Sequence, residues 1–366
     1  MRRPRVLMTA DTIGGVWTYA LELARALVPL GYDPILAVLG PAPSAAQQAE
    51  ADAASGVRLI ETGLPLDWLA PDAAAVRASA AALAVLATDI KADIVHLNQP
   101  AFAGAADFPA PVVAALHSCV ETWWHAAGDG PPPASFAWQT DLVRAGLHAA
   151  DRVLCPSAAF AAEAQAAYDL PVTPSVVHNG RTARAYADAA PHDFAITAGR
   201  LWDKGKNVAT LDRAAGQLSV PFKAFGPLEA PHGEQVRFEH LYTPGNVDEA
   251  TLAACLAPRP VFASAALYEP FGLAVLEAAS AGCALVLSDI PTFRELWSDA
   301  AIFVPAMDAD GFARVIGAVV GDSALRAELG SKARAAAQAY TPDRMAAATA
   351  ALYRNVVPAA AAKAAA

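Results

Sequence analysis

The sequence predicts an α/β protein built from two doubly wound units. Short β-branched runs alternate with alanine-rich helical stretches along most of the chain, the pattern of βαβ units and parallel sheets. The pattern comes as two successive series, each opening on a strand and a glycine turn. The 366 residues are also enough for two domains at about 150 residues apiece.

In the first series, strands are predicted at Arg5–Thr9, Asp33–Leu39, Asp93–Leu97, Val112–Leu116, Arg152–Pro156 and Ser175–His178. These are short, continuous apolar runs, which suit strands covered on both faces. Helices are predicted at Val16–Leu30, Ala73–Thr88 and Ala158–Tyr168. The second series has strands at Phe194–Gly199, Phe222–Phe225, Val236–His240, Val261–Ser264, Ala284–Ser288 and Ala301–Val304. Its helices are Asn207–Leu218, Val247–Leu256, Leu273–Ala281 and Asp310–Gly321. Asn179–Pro191 is polar and alanine-rich without an apolar period, so the break is placed there, giving units of residues 1–180 and 181–341. Two last helices, Ser323–Tyr340 and Pro342–Val357, have no strand between them. The low-complexity tail, residues 358–366, is expected to fray.

Composition narrows the function classes. Apolar residues make up 55% and charged residues 17%, yet no membrane-spanning helix is predicted. The longest stretch without a charge runs between Asp33 and Glu50 and is broken by Pro34, Gly40, Pro41 and Pro43, whereas a span needs about 20 apolar residues in a row. The run Val6–Met8 is too short for a signal peptide and reads as a strand. Four scattered cysteines form no C-x-x-C pair, which argues against a zinc or thioredoxin-like motif and for a reduced, cytoplasmic chain. A net charge of −10 opposes non-specific nucleic-acid binding. The charge is uneven: residues 1–180 balance at −8 and residues 181–366 at −2, so an anionic ligand is expected on the second half.

Ligands of open α/β sheets sit beyond the carboxyl ends of the strands, so the residues there are the candidates. Gly14-Gly15 follows the first strand and opens a helix; it reads equally as a place where backbone approaches an anion or as a tight turn. It is not G-x-G-x-x-G, so a dinucleotide fingerprint is absent. Asn98 follows the third strand and His117 the fourth. After His117 come Glu121, Trp123 and Trp124, where the indoles suit either stacking on a sugar or packing in the core. In the second series, Gly199-Arg200 is followed by Lys204 and Lys206 ahead of a helix, two kinds of cation suited to a diphosphate or simply a solvated turn. Glu269 and Glu277 flank Phe271, Gly272 and Leu273 at a helix start. The carboxylates could clasp hydroxyls at two ends of one ligand, with the amides between them facing an anion; on spacing alone, a capping acid and a surface acid fit as well.

Gly14-Gly15, His117, Arg200 with Lys206, and E-P-F-G-L-A-V-L-E at 269–277 resemble the retaining GT-B glycosyltransferases of family 4, the last segment being similar to that family's E-x7-E motif. The resemblance runs from Arg5 to about Val357 and implies two Rossmann-like domains facing across a cleft. The second would bind a nucleotide-sugar, with a UDP-sugar favoured, and the first a hydroxyl acceptor. It implies Arg200 and Lys206 on the diphosphate, Glu277 on the ribose, and Glu269 with the amides of Phe271, Gly272 and Leu273 on the donor sugar. Gly15 would lie beside the phosphates and Leu241 would meet the base. His117 would act from the acceptor side, with Gly14, Asn98, Glu121, Trp123 and Trp124 near the acceptor. The final helix, about 342–357, would cross back onto the first domain.

No metal or other cofactor is expected. Asp308-Ala309-Asp310 matches a D-x-D but precedes a helix, where acids cap. Arg200, Lys206 and helix dipoles would then stabilise the leaving diphosphate. Glu121 is the only acid near His117 in sequence, so internal return on one face of the sugar is preferred over double displacement. An epimerase or hydrolase on the same fold, or a non-catalytic nucleotide-sugar binder, are the competing readings. The first half is acidic, with Arg2, Arg3 and Arg5 as its basic cluster, which predicts little or no membrane binding and a neutral or soluble acceptor.

Overall fold

The computed structural model describes residues 2–187, 189–231 and 233–364, with side chains described as far as residue 357. Strands are β1 (Arg5–Asp11), β2 (Asp33–Leu39), β3 (Arg58–Glu61), β4 (Ile94–Leu97), β5 (Val112–Ala115), β6 (Arg152–Cys155) and β7 (Ser175–Val176), then β8 (Ala195–Ala198), β9 (Phe222–Phe225), β10 (Tyr242–Gly245), β11 (Val261–Ser264), β12 (Ala284–Ser288) and β13 (Ala301–Val304). Helices are α1 (Gly15–Leu27), α2 (Ala45–Asp52), α3 (Ala73–Asp89), α4 (Val120–Ala127), α5 (Ala137–Ala149), α6 (Ala158–Tyr168), α7 (Val208–Ala215), α8 (Glu249–Leu256), α9 (Leu273–Ala281), α10 (Pro291–Trp297), α11 (Ala309–Gly321), α12 (Ser323–Ala337) and α13 (Pro342–Ala364). The chain divides into two units. Unit 1 comprises Met1–His125, Asp129–Gly180 and Pro342–Ala366; unit 2 comprises Ala126–Gly128 and Arg181–Thr341.

Unit 1 is a parallel sheet in the order β3-β2-β1-β4-β5-β6-β7. Met8 lies between Leu36 and His96, so β1 is central and the chain changes direction across the sheet between β1 and β4. Successive side chains of β1 go to opposite layers. Val6, Met8 and Ala10 pack with Tyr19 and Leu23 of α1 and Met345 and Tyr353 of α13. Leu7 packs with Val76, Ala80 and Leu83 of α3 on the other face. The last helix therefore completes the core of unit 1, although it is far away in sequence.

Unit 2 repeats the scheme in the order β10-β9-β8-β11-β12-β13. The reversal lies between β8 and β11. Ile196, Phe262 and Leu285 face Val275 and Leu276 of α9. Ala195, Val261 and Val286 face Leu211 of α7 and Ile316 of α11. Both units thus show the order of a doubly wound dinucleotide-type sheet, which puts the ligand crevice at the reversal.

Three local expectations change, and one strand was not predicted. The strand predicted at Val236–His240 is not one. Asp212 of α7 accepts hydrogen bonds from the backbone N–H groups of Glu239, His240 and Leu241 at 3.1, 2.9 and 3.0 Å, which takes the donors a ladder would need. The strand comes later, as β10, paired with β9 only. β3 escapes a periodicity reading because it is a four-residue edge strand with Arg58 and Glu61 at its exposed ends. The helix predicted from Asn207 starts at Val208, because Asn207 is left-handed at φ 49°. α13 continues through Ala364, so the tail adds turns to it rather than fraying from residue 358; residues 365 and 366 lie outside the described residues.

Candidate functional site

In unit 2 the reversal point brings together the loops after β8 and β11. Lys206 and Glu269, 63 residues apart, meet there as an ion pair at 2.5 Å, with side chains 21% and 15% exposed. They line a small cavity with Thr197, Gly199, Ser264 and Val275. Its volume is about 20 Å³, room for about one water.

The loop after β8 is built to hold cations in place. Asp203 is almost buried; its Oδ2 accepts from Arg200 at 3.0 Å and its Oδ1 from the Gly205 N–H at 2.9 Å. Arg200 also lies over the Trp202 ring at 5.6 Å. The Gly205 carbonyl accepts from the Leu267 N–H at 2.8 Å and ties this loop to the one after β11. Asn207 adds two more ties, donating from Nδ2 to the carbonyls of Ala265 and Ala306 at 2.9 and 2.8 Å. Lys206 points to Glu269, whereas Lys204 is exposed. Of the two lysines, Lys206 is the one that meets Glu269.

Close approach of backbones makes this packing possible. Gly226, after β9, has φ 136°, and a Cβ there would stand 1.8 Å from the Gly199 carbonyl oxygen. Gly272 starts α9 at φ 93° without a side-chain cap. α1 likewise starts from Gly14, at φ 100°, without one. By contrast α3, α6, α8, α11 and α12 are capped by Asp72, Ser157, Asp248, Asp308 and Asp322. Helices lacking a side-chain cap at a crevice leave their first amides to a ligand.

Glu277 is placed differently from its partner in sequence. It does not line the Lys206–Glu269 cavity. Its Oε1 accepts from Arg181 Nε at 2.9 Å, and Arg181 Nη2 also reaches Glu249 at 2.6 Å. Burial pushes the Glu277 carboxyl above the usual range and Arg181 opposes this. Arg181 was missed in the sequence because it lies in the stretch read as a linker.

The Phe271 side chain is buried against Tyr340, so only its backbone can serve a ligand. Leu273, next along, is part-buried at the first position of α9. Leu241, whose backbone the resemblance places near the base, lies just before β10. Its side chain is core, its N–H is held by Asp212, and it precedes β10, so it sits at the amino end of a parallel strand whose carboxyl end is Gly245.

In unit 1 the corresponding reversal gathers the ends of β1, β4 and β5. Asn98 Nδ2 donates to the Thr9 carbonyl at 2.5 Å, which orients the amide so that Oδ1 meets His117 Nε2 at 2.8 Å. Oδ1 can only accept, so His117 carries its proton on Nε2 and presents Nδ1 as an acceptor. Tyr19 packs edge-on against the His117 ring at 4.3 Å. Burial holds His117 down to about 4. His96, beside it, is held down to about 3 by burial and by His117; its Nδ1 meets the Tyr353 hydroxyl at 2.8 Å.

These rings give a test. His117 Nε2 is expected to stay protonated, and the ring neutral, down to about pH 5 in a side-chain ¹⁵N NMR titration, against about 6.5 for a free histidine. A histidine lowered in the folded state stabilises it fully above the unfolded value. Stability should therefore fall as the pH drops from about 6.5 toward about 4 for His117 and about 3 for His96. A His117 ring that titrates near 6.5 in the folded chain would refute this environment.

The remaining candidate residues are placed as follows. Trp123 and Trp124 are half-buried, their rings tilted against each other at 5.7 Å; Trp124 also packs at a tilt against Phe136 and donates to the Gly130 carbonyl at 2.9 Å. The Glu121 carboxylate accepts from Thr140 at 3.4 Å. Gly15 is the first residue of α1. In unit 2, Asp308 caps α11 through the Gly311 N–H at 2.8 Å, and Asp310 accepts from Gln217 at the same distance. Both acids of the D-x-D are thus engaged in structure.

Comparison with known proteins bears on the family and the fold. The family described as Glycosyltransferase Family 4 matches residues 13–182, and Glycosyl transferases group 1 matches residues 236–336. The chain belongs to the GT-B glycosyltransferases of family 4. A phosphatidyl-myo-inositol mannosyltransferase of Mycolicibacterium smegmatis is 31% identical over 185 residues, which is 46% of this chain and 47% of that one. The chain thus spans about half the length of this curated relative. Among solved structures, sucrose-phosphate synthase from Thermosynechococcus elongatus shares the fold at a TM-score of 0.78 and 18% identity, covering 98% of this chain and all of that one. Anabaena HepE in complex with UDP-glucose matches at 0.72 and 18%, covering 96% and 99%. The GT-B fold of this family 4 chain is therefore shared along almost its entire length. No helix among its described residues is long and apolar enough to cross a membrane.

Proposed function

We propose that this protein is a retaining glycosyltransferase that moves a sugar from a nucleotide-sugar, with a UDP-sugar favoured, to a hydroxyl acceptor. The observation that carries the reading is the Lys206–Glu269 pair at the sheet reversal of unit 2. A pair at 2.5 Å is a preformed exchange site: diphosphate oxygens replace the carboxylate on Lys206, and Glu269 turns to the sugar hydroxyls. Arg200 adds a second cation with a fork suited to phosphate. The amides at the start of α9 supply further donors. HepE, solved with UDP-glucose, supports the donor class, and the mannosyltransferase relative supports sugar transfer.

In the proposed reaction the bond from the anomeric carbon to the diphosphate oxygen breaks, and the acceptor oxygen attacks from the same face. The departing phosphate takes the acceptor proton. Lys206 and Arg200 hold the charge that develops on the leaving oxygen, so the step is proposed to need no metal. Unit 1 is assigned the acceptor, with His117 Nδ1 accepting from a sugar hydroxyl and the tryptophan pair offering an apolar face. A cytoplasmic setting is proposed from the scattered cysteines, and a neutral or soluble acceptor from the acidity of the first half.

A thermal-shift panel of UDP, GDP and ADP with their sugars tests the donor reading. A ligand at 100 times its Kd adds about 2.7 kcal/mol to the folded state. UDP and one UDP-sugar are expected to raise the melting temperature of the wild type and not that of Lys206→Ala. Absence of a shift with any member of the panel would sink the proposal. Rapid donor consumption without acceptor would turn it into a hydrolase.

A further inference from the structure

Arg181 opens unit 2 directly after Gly180, and its side chain is only 6% exposed. It spends its fork on two carboxylates from different helices: Nε on Glu277 of α9 at 2.9 Å and Nη2 on Glu249 of α8 at 2.6 Å. Arg184 joins from outside onto Glu249. The Tyr186 hydroxyl donates to the Glu277 backbone carbonyl at 3.0 Å. Arg334 of α12 donates to the Ala281 carbonyl at the other end of the same helix. Two arginines and two glutamates balance, so the cluster is neutral as a whole.

Resting on the donor reading above, we propose that Arg181 is a positioning residue for nucleotide binding: it fixes the Glu277 carboxylate in one orientation and leaves its Oε2 for the ribose hydroxyls. Two features make the guanidinium the right group. A part-buried carboxylate alone would be protonated more readily and would then lose half its capacity to accept. A planar fork also reaches two carboxylates in fixed directions, which an ammonium on a flexible stem does not. Glu249 is the outer end of the fork and stops Arg181 from rotating away. The charged groups that face Glu277 are Arg181, Arg184 and Glu249, and Arg181 is the one in direct contact.

Calorimetric titration of the full chain separates positioning from mere support. The probes are UDP, GDP and ADP and the 2′,3′-dideoxy form of whichever binds. Arg181→Met is expected to weaken the parent nucleotide about tenfold at pH 7, because the buried carboxyl holds its proton more readily once the guanidinium is gone. Its affinity should recover as the pH rises, because Glu277 must shed its proton to accept the hydroxyls, whereas the wild type stays flat across the same range. The dideoxy nucleotide lacks those hydroxyls and should bind both proteins alike. In a Glu277→Gln background Arg181→Met should add nothing. Arg181→Lys keeps the charge without the fork and should show the same split in smaller measure, so the test survives if the Met variant does not fold. Equal weakening of both probes, or none of either, would overturn the assignment while Lys206→Ala still reports on the donor site. A wild type that binds none of the three diphosphates overturns the donor reading and this inference with it.

Discussion

Lys206→Ala is expected to lower kcat/KM for glycosyl transfer by about 100- to 1000-fold, the usual loss when one charge-stabilising donor is removed from a transition state. The mutation removes the cation at the reversal of unit 2 and leaves Glu269 without its 2.5 Å partner. The fold should tolerate it, because the loop is tied down independently by Asp203, Gly205 and Asn207. Circular dichroism should be unchanged while steady-state transfer collapses. Lys204→Ala is the matched control, since Lys204 is exposed at the same turn. Similar rates for the two alanine variants would take the diphosphate away from Lys206.

Gly226→Ala is expected to destabilise the protein by about 3 kcal/mol, at the upper end for forcing an atom into filled space. The new Cβ would meet the Gly199 carbonyl oxygen at 1.8 Å, and the φ of 136° suits no other residue. Relief requires the ends of β8 and β9 to separate, which moves Arg200 and Lys206 as well. Activity should therefore fall with stability. Gly233→Ala, at φ 89° with nothing within 4 Å, carries the backbone strain alone and should cost about 1 kcal/mol. Urea denaturation of both variants distinguishes steric from conformational cost. A Gly226→Ala midpoint no lower than that of Gly233→Ala would show that the two loops can part without penalty.

Much of the fold was legible because its signals are local. Eleven of the strands correspond to short apolar runs bounded by turns, and the helices between them are alanine-rich. The edge strands were harder. β3 has little apolar content to read, and β10 was displaced because Asp212, nearly thirty residues earlier, takes the backbone donors of the more apolar-looking segment. No window of sequence contains that interaction.

The sequence by itself determined the class of fold, the two series of strands, and the residue types at each strand's carboxyl end. Hydrophobic period, glycine turns and the charge balance are properties of neighbouring residues. Only the tertiary structure decided which side chains meet: Lys206 rather than Lys204 on Glu269, Asn98 setting the proton on His117, and Arg181 taking Glu277. Those choices depend on strand order, because parallel neighbours such as β8 and β11 bring residues 63 positions apart to one end of a sheet. They depend also on burial, which shifts His117 and Glu277 by removing water that the chain itself cannot specify locally.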